Sequence, residues 1–228
     1  MKKIIFFFLL SCALPAMAAG DSTKVRGKAA GGTLMLGMRT TTSLFSEAGV
    51  PGMGIGGQFR LRFFDRVNSD WFADYITSDI GGLGKRTDYH IGWSVLFYPF
   101  VPESPKQTRV STIVRPKDRK LVPYVLAGHC FDYTRVSNRD PLFPHTEERW
   151  SSAIQAGLGT HWMLSRSFDL SLTSQYMMHL GGDVHAHVAP GPNGTDVLFI
   201  EKQDELSLEG HLLMTLSLNV RMADLWSR

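Results

Sequence analysis

From Leu206 to Val220 the chain alternates strictly enough to fix its local structure: Leu206, Leu208, Gly210, Leu212, Met214, Leu216, Leu218 and Val220 share one parity, and Ser207, Glu209, His211, Leu213, Thr215, Ser217 and Asn219 the other. Period two is the signature of a strand with unlike faces. A run of about fifteen residues exceeds the five or six of a soluble strand and suits a tilted membrane strand, which needs about nine to eleven plus an overhang. After Leu14 no apolar run reaches the roughly twenty residues of a spanning helix, so the chain crosses a bilayer as strands or not at all.

The preceding hairpin repeats the pattern. Trp150, Ser152, Ile154, Ala156, Leu158, Thr160 and Trp162 face out, and a turn at Ser165-Arg166-Ser167 returns the chain with Phe168, Leu170, Leu172, Tyr176 and Met178 on the same side. Pairing Leu164 with Phe168 sets His161 opposite Ser171 and Trp162 opposite Leu170, so inward meets inward throughout. Trp150 and Trp162 lie roughly 30 Å apart along the normal of a membrane crossed at a tilt near 40°, the spacing of two aromatic girdles. Trp93 is assigned to the same lipid-interface set. Upstream, strands are placed near Thr33 to Thr41, Ile55 to Phe64, Trp71 to Ser78, His90 to Tyr98 and Val122 to Tyr133, the last with undecided facing. The expected fold is therefore all-β: an eight-stranded antiparallel up-and-down transmembrane barrel over residues 33–220, with a tail at 221–228. Short turns are expected after the second and sixth strands and longer loops after the first, third, fifth and seventh, which puts both termini on the periplasmic side. The basic, Pro-containing connector from Pro99 to Lys120 has no account in this scheme.

The start of the chain fits export: Lys2 and Lys3, an apolar stretch from Ile4 to Leu14, and Ala16-Met17-Ala18 as the exit. Residues 1–18 are expected to be a cleaved leader and 19–32 a periplasmic tail; Leu9-Leu10-Ser11-Cys12 is a weaker, competing lipobox-like signal. Cleavage leaves Cys130 alone, which excludes a disulfide-stapled domain, and lowers the net charge from +3 to +1, which gives no electrostatic case for nucleic acid.

With the strands laid out, the chain resembles the small eight-stranded outer membrane barrels, the superfamily of the outer membrane protein A transmembrane domain and outer membrane proteins X and W. The resemblance rests on the leader, the Pro123-Tyr124-Val125-Leu126-Ala127-Gly128 strand, the Ala156-Gly157-Leu158-Gly159 strand with its turn, and the alternating last strand. The stretch from Asp88 to Pro99 is similar to barrels of the Bacteroidetes type. The resemblance implies a bacterial outer membrane location, with membrane lipid, lipopolysaccharide and the barrel assembly machinery as partners and an unidentified extracellular ligand. It implies no cofactor. The ending Leu225-Trp226-Ser227-Arg228 departs from the terminal aromatic that the assembly machinery reads in many such barrels, with Trp226 as a substitute.

Candidate site residues follow from the phase. Arg39, Arg60, Arg62, Asp74, Asp169 and Glu209 face the lumen, where charges must be paired. Pairing Phe64 with Phe72 sets Arg62 opposite Asp74, and barrel closure brings Arg39 near Glu209. His90, His161, His179 and His211 also face inward. A lipid A deacylase-like enzyme is a remote alternative, since Tyr176-Met177-Met178-His179-Leu180-Gly181 lacks a serine two residues after its histidine. Asp183, His185 and His187 are a weak metal candidate, because alternate positions of an extended segment can present a carboxylate and two imidazoles to one ion. The reading is a non-enzymatic barrel with a plugged or narrow lumen and a structural or surface-interaction role. The alternatives are a narrow pore for small or hydrophobic solutes and a lipid A-modifying enzyme.

Overall fold

The computed structural model describes residues 32–44, 51–100, 121–140, 144–165, 167–191, 194–207 and 210–226. The expected leader, most of the N-terminal tail, most of the connector after Pro99, and Glu209 lie outside these residues. The elements are β1 (Thr33–Leu44), β2 (Gly52–Arg62), β3 (Val67–Ile80), β4 (Gly84–Phe97), β5 (Leu121–Asn138), β6 (Thr146–Met163), β7 (Phe168–Pro190), β8 (Asp196–Ser207) and β9 (Gly210–Asp224). All pairings are antiparallel: β1 to β7 join in sequence order, and β9 closes the sheet between β7 and β1. β8 pairs with the upper part of β7 and β9 with its lower part, so the two serve as one interrupted strand and the barrel has eight staves.

The register gives the barrel its dimensions. Starting at Leu36, successive partners are Phe59, Trp71, Trp93, His129, Ile154, Met178 and Gly210, yet Leu36 itself pairs with Val220. One circuit thus slips ten residues along β9, and eight strands with that stagger tilt by roughly 40° from the axis. The alternation in the sequence becomes two surfaces. Along β9 the odd residues from His211 to Asn219 are buried inside, while Leu212, Met214, Leu216 and Leu218 are exposed outside. Met38, Ile55, Phe59, Ile91, Val95, Val125, Ile154, Leu158 and Leu172 continue the apolar belt around the barrel. Such a belt far exceeds the few hundred Å² that a soluble monomer exposes and matches the lipid-facing band of a transmembrane barrel.

Local chemistry explains the elements. Gly159 leaves the space into which Tyr124 leans, since a Cβ there would stand 2.5 Å from the tyrosine ring. The β3–β4 turn is made by Gly81 and Gly82, at φ 59° and 73°, with Leu83 N–H donating to Ile80 C=O at 3.1 Å.

Three expectations are corrected. The third-to-fourth connection is a three-residue turn rather than a long loop, because β3 continues to Ile80 and β4 begins at Gly84. The seventh strand runs on to Pro190 and β8 begins at Asp196, so that connection is a hairpin tip. The polar residues of these extensions resemble loop composition because above the apolar belt the outer face no longer needs to be apolar. The last strand likewise continues four residues past Val220, to Asp224.

The candidate site: a filled lumen and its two ends

β2, β3 and β7 place the lowest charges. Arg60, on β2, meets Asp70 of β3 directly opposite it, with Nε to Oδ1 at 2.6 Å and Nη2 to Oδ2 at 2.9 Å. This two-pronged geometry is the strong form of a guanidinium–carboxylate pair. Its Nη1 lies 3.5 Å from Asp169 and 3.4 Å from Nδ1 of His161. Tyr98 folds under this layer: Asn68 donates to its hydroxyl at 2.7 Å, and the same oxygen lies 2.9 Å from Nε2 of His161. Tyr124 stacks on that imidazole at 4.4 Å and also lies 5.8 Å from the Tyr98 ring.

A continuous chain of hydrogen bonds climbs from there. Asn219 donates to Asp169 at 2.7 Å, Gln58 donates to Asn219 at 2.6 Å, and Arg39 donates to Gln58 at 3.5 Å. Arg39 holds Asp74 with Nε to Oδ1 at 3.0 Å, donates to Thr215 at 3.2 Å and lies 4.4 Å above the Phe72 ring. Between the two ion pairs remains a cavity of about 20 Å³, lined by Arg39, Gln58, Arg60, Asp70 and Phe72 among others. That is room for about one water. Phe72, Ile76, Cys130, Ala153, Met177 and Leu213 pack as an apolar layer at this level.

Above it sits a histidine–carboxylate layer. Asp132 of β5 lies between His90, Nε2 to Oδ1 at 3.1 Å, and His179, Nδ1 to Oδ2 at 3.2 Å. His179 Nε2 reaches His211 Nδ1 at 3.2 Å. Arg149 joins Asp132 at 3.5 Å and also holds Asp183, and Arg86 meets Asp88 at 3.1 Å. The hydroxyl of Ser151 approaches His179 at Nδ1, 3.1 Å away, the nitrogen that already faces Asp132. A serine nucleophile needs its base nitrogen and its orienting carboxylate on opposite sides of the ring, so this trio is a packed network and not a relay. Ile80, Val136, Val184 and Leu198, from β3, β5, β7 and β8, close the column at the loop rim as an apolar cap.

Of the charges assigned to the lumen, Arg39, Arg60, Asp74 and Asp169 are buried there. Arg62 is not opposite Asp74: its partner in register is Asn68, and it pairs with Asp65 at 2.9 Å in a half-exposed rim site. The reason is the β2–β3 turn, where Phe63 and Phe64 N–H both donate to Val67 C=O and draw the hairpin in by six partner positions. Asp74 consequently serves Arg39, and the expected Arg39–Glu209 pair lies outside the described residues. Asp183 and His185 meet, but His187 does not join them. Asp183 is held by Arg149, His185 lies 3.0 Å from Asp183, and His187 stacks on Phe199 at 5.6 Å. Among the described residues no cluster of histidine, cysteine and acidic side chains is arranged for a metal. Trp150 and Trp162 are exposed on the outer face, whereas Trp93 leaves the girdle set. It shares a pair row with His129 and Ile154 that the strand tilt carries to mid-height, where it neighbours Trp71 at 6.4 Å. His129 also faces out and satisfies itself on Ser152, Nε2 to Oγ 2.6 Å. Sequence reasoning missed Asp70, Asp132 and Arg149. Asp132 lies on the strand whose facing the alternation left undecided, and Asp70 and Arg149 stand one residue before the expected strand starts at Trp71 and Trp150.

No protein-family model matches the chain, and no curated protein matches it. Solved structures similar to it include small outer membrane β-barrels. Neisserial surface protein A is 12% identical, with a TM-score of 0.47 over 83% of this chain and 96% of that one. A major outer membrane protein of Thermus thermophilus is 10% identical, with a TM-score of 0.49 over 83% and 99%. The attachment invasion locus protein of Yersinia pestis is 11% identical, with a TM-score of 0.44 over 83% and 97%.

Proposed function

We propose that this chain is a non-enzymatic outer membrane barrel whose interior is a structural plug and whose strand extensions and loops, at the rim opposite the termini, form a surface for interactions outside the cell. The observation that carries the reading is the column itself: ion pairs, hydrogen-bonded amides and two apolar layers fill successive levels, leaving about 20 Å³ between the lower pairs. A channel needs a continuous water path, and paired charges in a narrow barrel are what hold such a path shut. The β2–β3 and β6–β7 turns and both described ends share the lower rim, which in this reading faces the periplasm, while the strand extensions to Ile80, Gly84, Asn138 and Pro190 rise at the other. The barrel assembly machinery is the partner for insertion. Planar-bilayer recording of the purified, heat-modifiable protein tests the plug. No stable unitary conductance is expected, and reproducible unitary steps overturn the reading in favour of a pore.

A further inference from the structure

The outer wall carries more than a uniform lipid coat requires. Tyr75, Tyr89, Tyr133 and Trp150 stand side by side across β3, β4, β5 and β6, with ring centroids 5.1, 5.8 and 4.7 Å apart. They belong to an open groove of about 650 Å³, in the size range of sites for discrete ligands. Its lower wall is Ile91 and Phe131; its upper wall is Thr87, Arg135 and Ser137. Lys85 stands two residues above Thr87 on the same face. Lys85 pairs with Ser137 and Thr87 with Arg135, so the two cations are diagonal neighbours, about 7–8 Å apart at the backbone. One anionic group can reach both.

The surrounding charges leave them available. Glu148 lies 3.6 Å from Arg135, with side chains 48% and 55% exposed, and a pair so open contributes little. Asp79, opposite Lys85 in register, is engaged by Arg139 at 2.7 Å. Three cations thus face two carboxylates above an aromatic floor. Arg135 can exchange Glu148 for phosphate, to which a guanidinium makes two parallel bonds.

We propose that this groove binds one phosphorylated glycolipid of the leaflet around the loop rim, its phosphate on Arg135 and Lys85, its sugar beside the hydroxyls of Thr87 and Ser137, and its acyl chains over Tyr89, Ile91 and Phe131. The proposal rests on the membrane-spanning reading. Arg135 sits one same-face step above Tyr133 and Lys85 two above Tyr89, where headgroups begin, and the apolar wall sits below the aromatic row, where acyl chains run. A second copy of the chain docking here face to face would bring like cations together across its two-fold axis.

Native mass spectrometry of the mature protein in detergent, titrated with bis-phosphorylated lipid A, tests this. A one-to-one adduct is expected, weakened at least about tenfold in Lys85→Ala/Arg135→Ala, as loss of two charge-assisted contacts implies. Removing the phosphates from the lipid, with the protein unchanged, is expected to weaken it by a similar factor, which keeps the test independent of how the variant folds. Binding indifferent to both changes, equal binding of phosphatidylglycerol, or a dimer in place of the adduct overturns the proposal. Failure of the underlying reading is scored separately, by the absence of a heat-modifiable band in the same preparation.

Discussion

Asp74→Ala should unpair a cation in a place that cannot rehydrate it. Arg39 is 7% exposed and Asp74 4%, and they meet at 3.0 Å. Without the carboxylate, the guanidinium keeps only neutral partners, Thr215 at 3.2 Å and Gln58 at 3.5 Å, and the face of Phe72. Breaking one side of a buried pair costs about 3–5 kcal/mol. The Arg39→Ala/Asp74→Ala double variant removes the stranded charge and opens a polar space that water can occupy, so it should be less damaging than Asp74→Ala alone. The assay is guanidinium-driven refolding into phosphatidylcholine vesicles, followed by tryptophan fluorescence. Losses that add within about 0.5 kcal/mol would refute the reasoning, because non-interacting sites behave that way. They would mean that Arg39 already sees water.

Two further outcomes are expected. Met214 is exposed outside, near the level of Ala156, midway between Trp150 and Trp162, so Met214→Arg should cost about 2–4 kcal/mol in a lipid refolding titration. Thr215→Arg turns inward and should instead cost what overpacking costs, about 1–3 kcal/mol, with no dependence on bilayer thickness; identical thickness dependence of the two variants counts against the assigned faces. The full barrel should also fractionate with outer membranes and migrate faster unheated than boiled on a detergent gel, and recovery as a soluble periplasmic monomer contradicts it.

The legible part of the fold was its parity. The β6–β7 register, with His161 opposite Ser171, followed from a short turn that leaves one choice consistent with the faces. The β2–β3 register did not follow, although Arg60, Arg62 and Asp74 have the parity assigned to them. A slip of six positions is even, so it preserves inward and outward while changing every partner, and Arg62 loses Asp74 without violating the pattern. The same limit governs the site. That charges point inward is written in the alternation, but that Asp74 serves Arg39 depends on neighbours supplied by β1, β2 and β3 together. The height of the extensions was hidden for another reason. Lys85-Arg86-Thr87-Asp88 reads as loop until Arg86 and Asp88 are seen to pair inside, leaving Lys85 and Thr87 outside.

The central claim, that one face of these strands meets lipid while the other fills a closed interior, is tested most directly by nitroxide scanning of residues 212–217 in a Cys130→Ala background, reconstituted in vesicles. Collision with oxygen, which concentrates in lipid, should be high at 212, 214 and 216 and low at 213, 215 and 217, and water-soluble nickel should reach neither set. Nickel access at 213, 215 and 217 would show a water-filled lumen, and loss of the two-residue period would contradict the barrel itself.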